Sequence, residues 1–331
     1  MNGFVRSLCK QICRGLLVVL LFTLNACGKS PAPPLRIATN PWSGYEFLHL
    51  AEELGYFTQE GVSVRLVEFT SLGDARRAFE RGQVDAWGAT LVELLFSREQ
   101  SPRHAQVFMV TDFSNGADML LARPPIVQVA ELRGRRVAVE PATTDVLLLA
   151  IALKSAGLRF DEIELTPLPQ NLMVRALQSG EVDAVCTYPP LATTILRAGL
   201  AGKIFDSTQA PQQIIDVLAA DQELLAQRAD AFAAIIRAFE RARRYAETHP
   251  DHAHALMARR EGLSVEEFRQ ALSGIRIVAW HEQGDYLAEN GYLLPALQAA
   301  DRALRALGLL KGPAADASAY QITPWRISTP P

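Results

Sequence analysis

Cysteine is scarce: the 331 residues hold four, at positions 9, 13, 27 and 186. The first three belong to the N-terminal segment described below, so Cys186 stands alone in the rest of the chain. That excludes an intramolecular disulfide there and a cysteine framework for a metal. Such a chain rests on its core, and roughly 300 residues can supply one. An excess of one charge is also missing. The formal net charge is −3 and no dense Lys/Arg patch interleaves with aromatics, which excludes nucleic acid as an expected partner. P-loop, G-x-S-x-G, H-E-x-x-H and C-x-x-C signatures do not occur. The histidines of HPDHAH (His249, His252, His254) do not make a metal site either. Pro250 suits a helix start, which leaves His249 outside the helix and sets the other two on different faces. Neither a metal nor a cofactor is expected.

Long hydrophobic runs are rare as well. Gly15 to Leu24 (GLLVVLLFTL) is too short to span a bilayer comfortably, but it has the outline of a secretory h-region behind Arg6, Lys10 and Arg14. It leads into Leu24-Asn25-Ala26-Cys27, which resembles the lipobox of bacterial lipoproteins. The resemblance implies that residues 1–26 are a signal peptide and that Cys27 is acylated. The chain would then be exported and lipid-anchored on the periplasmic side of a bacterial membrane. A short membrane anchor with an incidental cysteine is the alternative. Residues 27–34 (CGKSPAPP) read as an extended tether.

What is present is an ordinary globular balance, with 49% hydrophobic and 21% charged residues, and a legible rhythm. LRIATN is β-rich, YEFLHLAEELGYF is helical, VSVRLVEF alternates as a strand does, and Ser71 with Asp74 opens a further helix. VDAWGAT and AQVFMVTDF follow as strands. The order then restarts with RRVAVE, TTDVLLLAIALKSAGL, IELTPL, QNLMVRALQSG and VDAVCTY. IIDVLAAD reads as one more strand, after which the chain is mainly helical. One phrase occurs twice: RAFERGQVDA from Arg77 and RALQSGEVDA from Arg175, each a helix ending at glycine and falling into a strand. Any βαβ unit can look so, but each copy closes a matching β-α-β-α-β run. The expected architecture is α/β, with two lobes, each a mostly parallel sheet flanked by helices. Lobe 1 takes residues 35–114 and 214–311, lobe 2 takes 115–213, and residues 312–331 form a loose tail. The chain crosses between lobes near Asp112 to Asp118 and near Ile214 to Asp221, and the C-terminal helices brace the first lobe.

The blocks ATNPWSGYEFLHLAEELGYF, VRLVEFTSLGDARRAFERGQVDAWGAT, TDFSNGAD, LRGRRVAVEP and RALQSGEVDAVCTYPP resemble, in order, those of solute-binding proteins of nitrate/sulfonate/taurine-type ABC importers. That superfamily includes binding proteins for thiamine-pyrimidine precursors. The resemblance covers roughly Leu35 to Pro250. It implies a type II periplasmic-binding fold with two crossing strands, hinge closure over a small molecule, and delivery to an ABC permease. A monomer is expected, and no enzyme. The alternatives are a ligand-sensing partner of a membrane signalling receptor, or an enzyme of pyrimidine or menaquinone precursor synthesis on the same fold. The pyrimidine-forming relatives carry a cysteine-rich motif that this chain lacks.

Ligands of open α/β sheets sit beyond the carboxyl ends of strands, where free amide groups begin helices. Those junctions nominate Asn40, Trp42 and Ser43, then Ser71, then Thr90. In the second half they nominate Glu140, Thr143 and Thr144, then Tyr188, with Asp112, Ser114 and Asn115 at the crossing. Hydroxyls and amides suit a polar solute, and Trp42 and Tyr188 offer flat faces from opposite lobes. Bland roles compete: Ser71 and Thr143 serve equally as N-caps, Trp42 as a buried aromatic, Tyr188 as a turn former. Acids crowd the same junctions, among them Glu46, Asp74, Glu93, Asp118 and Asp145, although first-turn acids also suit the helix dipole. If two of the acids face the cleft, a bare anion such as nitrate is disfavoured. A ligand with N–H donors or positive charge, such as an amine or an amino-substituted heteroaromatic ring, is then favoured.

Overall fold

Eleven strands sort into two sheets among residues 32–320 and 323–329, which are the residues described in the computed structural model. The expected signal peptide and Cys27 lie outside the described residues. The first sheet orders as β11(Ile275–Ile277), β4(Ala105–Ser114), β10(Ile215–Asp221), β3(Ala86–Thr90), β1(Leu35–Thr39) and β2(Val64–Glu68). The second orders as β7(Glu164–Pro167), β6(Arg136–Val139), β8(Ala184–Thr187), β5(Met119–Ala122) and β9(Gly202–Asp206). The chain passes to the second sheet between Ser114 and Met119 and returns between Asp206 and Ile215.

The mostly parallel sheets expected from the rhythm are in fact mixed. β1 pairs parallel with β2 and β3, and β6 with β7 and β8, each pair joined through an intervening helix. The strands adjoining each crossing, β4, β5, β9 and β10, pair antiparallel, because they enter each sheet from the side of the other.

The repeated phrase becomes the same junction built twice. Helix Leu72–Glu80 runs out at Gly82 (φ 69°) and helix Gln170–Ser179 ends at Gly180 (φ 74°), both left-handed positions that favour glycine. The chain then drops through Val-Asp-Ala. Asp85 accepts from Arg36 Nε and Nη2 at 3.0 and 2.7 Å and from the Arg36 amide at 2.9 Å. Asp183 takes the same three bonds from Arg136, at 3.0, 2.8 and 3.0 Å. In each lobe this forked pair ties the incoming loop to the first strand and fixes the neighbouring register.

Packing covers both faces of the first sheet. Phe79 stacks on Trp87 on one side, while Phe47, Phe108, Phe232 and Phe239 meet on the other. The helix Ala229–Thr248 repeats Phe232, Ile235, Ile236 and Phe239 at helical spacing and buries them against helix Glu46–Glu53. Bracing by the C-terminal helices reaches further than expected, since helix Leu293–Ala306 packs on helix Leu91–Gln100 and also on helix Thr144–Ser155 of the second lobe.

The tail over 312–331 is not loose where it is described. The Ser318 carbonyl accepts from Gln106 Nε2 at 2.9 Å, Tyr320 bridges Val107, and helix Thr323–Ile327 sets Trp325 beside Trp280. Trp325 Nε1 donates to the Trp280 carbonyl at 3.1 Å. The reason is the outer edge of β4, which β11 covers only from Asp112 to Ser114. Backbone groups there need partners. The Gln283 amide takes both groups of Val110, at 2.9 and 2.6 Å, and the tail covers the positions below it.

Candidate functional site

At the strand ends the lobes meet over a narrow cavity of about 10 Å³. Asn40, Trp42, Leu72, Thr90 and Asp216 line it from the first lobe; Asp118, Thr144 and Tyr188 line it from the second side. Each position follows from local chain behaviour. Asn40 and Trp42 follow β1 directly, Leu72 opens the helix capped by Ser71, and Thr90 caps helix Leu91–Gln100. Thr144 begins the helix capped by Thr143, and Tyr188 follows β8.

Side chains bridge the two lobes at several points. Ser71 Oγ donates to Glu140 Oε1 at 2.6 Å, and the Thr144 amide donates to Glu93 Oε1 at 2.7 Å. Asn40 Nδ2 reaches the Tyr188 hydroxyl at 3.4 Å. The rings of Trp42 and Tyr188 meet edge to face with centroids 5.7 Å apart. A Cβ on Gly73 would lie 2.4 Å from Glu140 Oε1, so any larger residue there would push this carboxylate off the first helical turn.

Carboxylates dominate the electrostatics. Glu93, Asp112, Asp118, Glu140, Asp145 and Asp216 are all buried. Burial, reinforced by the charge of Asp118, raises Asp112 to about 7; burial and Glu93 raise Asp118 to about 7. Glu140 is also raised to about 7, by burial first, against the Ser71 hydrogen bond and the nearby Arg77. Asp216 is pushed well above the carboxylate range by burial and by Asp112 and Asp118. Trp42 Nε1 donates to Asp112 Oδ1 at 3.1 Å, and the Tyr45 hydroxyl donates to Asp216 Oδ1 at 2.8 Å.

Of the residues nominated by sequence, Asn40, Trp42, Thr90, Thr144 and Tyr188 line the cavity. Ser71, Asp112 and Glu140 stand directly behind that lining through the bonds just given. Thr143 is an internal cap, donating to the Glu140 carbonyl at 2.9 Å. Two further nominated residues do not line this cavity. Ser43 turns from the cavity to Glu261 Oε2 at 3.3 Å, because the turn after β1 aims alternate residues at opposite sides. Asn115 is exposed, and its amide is spent on the Gly274 carbonyl at 2.8 Å. Sequence reasoning missed Leu72 and Asp216 and knew Asp118 only as a nearby charge. The clue to Asp216 was a single acid inside the apolar run IIDVLAA. Of the histidines of HPDHAH, His249 and His252 both pack on the ring of Tyr245, and His254 meets Arg269.

The model of a family described as NMT1-like matches residues 28–260. A protein of Escherichia coli named "Putative aliphatic sulfonates-binding protein" is 26% identical over 261 residues, covering 78% of this chain and 81% of the relative. A "Putative binding protein" of Brucella abortus is 24% identical over 146 residues, 43% of this chain; the match spans 46% of that relative, about half its length. Among solved structures, the alkanesulfonate-binding protein SsuA from Xanthomonas axonopodis pv. citri, bound to MOPS, superposes with a TM-score of 0.77 at 18% identity. It covers 88% of this chain and 99% of its own. The two-lobe periplasmic-binding fold is shared.

Proposed function

The chain belongs to the NMT1-like family, and from that premise we propose that it is the solute-binding component of an ABC importer, closing its lobes over one small polar organic molecule. The observation that carries this reading is a cavity lined by side chains of both lobes, which two crossings of the chain connect. A solute touching both walls favours the closed arrangement over the open one by its differential contacts. The names of the sulfonate-binding relatives point the same way. Export and a lipid anchor on Cys27 would hold the protein at the membrane as a monomer, beside the permease that receives the solute. The chain binds rather than transforms its cargo. Consistent with that, the Cys186 thiol is buried and pushed well above its ordinary range by burial and by Asp145, which leaves it inert.

The test is closure itself. Small-angle scattering of the full chain, with and without a bound solute, should show a smaller radius of gyration on binding. Quenching or enhancement of tryptophan fluorescence should accompany it and vanish in Trp42→Phe. Solutes that bind without any compaction would defeat the reading.

A further inference from the structure

The cavity is rich in unanswered acceptors and poor in positive charge. Among the described residues, no arginine, lysine or histidine lines it. Asp118 Oδ2 and Asp216 Oδ2 have no hydrogen-bond partner, although the residues are only 3% and 2% exposed. Each carboxylate is steadied through other contacts, Asp216 by the Tyr45 hydroxyl at 2.8 Å and Asp118 by Ser114. Asp216 belongs to the first-lobe wall of the cavity and Asp118 to the second. Asn40 Oδ1 and Thr144 Oγ are likewise buried in its wall without partners. Buried oxygens left this way are unfavourable unless a partner arrives, and carboxyls that burial keeps protonated can give up those protons to meet a cation bearing N–H groups.

The aromatic pair supplies an independent indication. Trp42 and Tyr188 both line the same small space, and aromatic rings at such a site suit an organic cation. An anion would meet the reverse: Asp118 and Asp216 in the wall and Asp112 and Glu93 near them, with no basic side chain among the described residues that line the cavity. A bare metal ion is not indicated, since among the described residues no group of three His, Cys, Asp or Glu is spaced to hold one.

We propose that the solute is a small organic cation carrying N–H donors, an ammonium or amidinium group bridging Asp118 and Asp216 with Trp42 and Tyr188 against its flank. This rests on the solute-capture reading and narrows it, setting the chain apart from relatives named for sulfonates.

The experiment pairs probes of similar shape and opposite charge. The full chain is titrated calorimetrically near neutral pH with guanidinium against nitrate and with propylammonium against propanesulfonate, while scattering reports closure. Each cation should bind at least roughly tenfold more tightly than its anionic partner, and Asp118→Asn or Asp216→Asn should each lose about tenfold for the cation. Both variants keep the shape of the side chain, and thermal melts without probe confirm folding. If one fails to fold, the other and the wild-type panel decide. Anions binding as tightly as cations, no probe of either charge binding, or variants that keep full cation affinity would overturn the assignment. Closure on an anion would overturn only the charge class and leave solute capture standing. Cation binding without compaction would do the opposite.

Discussion

A carboxylate surrounded by other carboxylates and shut away from water keeps its proton beyond the usual range, and this governs the residue scale here. Asp112, Asp118 and Glu140 sit near 7, each raised first by burial, with Asp118 beside Asp112, Glu93 beside both Asp118 and Glu140, and Arg77 as the cation near Glu140. Their folded values lie above their unfolded ones, so the folded chain binds more protons between about pH 4 and 7. The stability they contribute is whole below about 4, shrinks as pH rises, and is gone above 7. Groups such as Asp85 and Asp183, held low by their arginines, act oppositely and lose their contribution as pH falls through their depressed values. The melting temperature without solute should therefore decline between about pH 5 and pH 8, and Asp118→Asn should flatten part of that decline. A melting temperature that climbs over this range would contradict the buried cluster. A second residue-scale expectation concerns Ser71, which caps its helix, accepting from the Asp74 amide at 3.2 Å, and bonds Glu140 across the cleft. Ser71→Ala should destabilise by about 1–2 kcal/mol. In a Glu140→Ala background only the capping part should remain, as a double-mutant cycle by denaturant titration would show.

At the scale of elements, Arg260 decides how the C-terminal helices hold the first lobe. From helix Pro250–Glu261 its guanidinium reaches Glu46 at 2.9 Å and Glu68 at 2.6 Å, joining helix Glu46–Glu53 to the end of β2. Glu46 is buried and raised to about 7, by burial against the Arg260 contacts. Removing the arginine strands that carboxylate, so Arg260→Met should lose about 3–5 kcal/mol in a denaturation experiment, and adding Glu46→Gln should restore much of it. Elements were also what the sequence disclosed best. The apolar alternation of VSVRLVEF and the repeated helix–glycine–VDA phrase located strands and crossovers. What that phrase could not disclose was its partner: Asp85 and Asp183 bind arginines on strands far earlier in the chain, and only folding brings them side by side. Asp216 was hidden because its run reads as one more buried strand. Ser43 and Asn115 misled because a turn's direction, not its composition, decides which neighbour faces a cavity. The Pro- and Ala-rich tail looked unstructured because its anchor, Trp280, belongs to another segment.

At the scale of the whole molecule, the paired lobes and the terminal strap do different work. The lobes form the cavity, while the strap holds helix Thr323–Ile327 against the helical layer near Trp280. Trp325→Ala should lower stability by about 1–3 kcal/mol, less than a fully buried tryptophan, because the ring is only partly covered. Solute affinity should hardly change, since the ring touches nothing in the cavity wall, and calorimetry on the same variant would check that. Removing residues 312–331 altogether has a different outcome, set by the bare side of β4 rather than by lost packing. Uncovered main-chain donors and acceptors along Ala105 to Met109 would offer a neighbouring molecule a ready lattice of bonds. The shortened chain should then elute from a sizing column as concentration-dependent dimers and larger species, so the last stretch of sequence also serves to keep one copy from zipping onto the next.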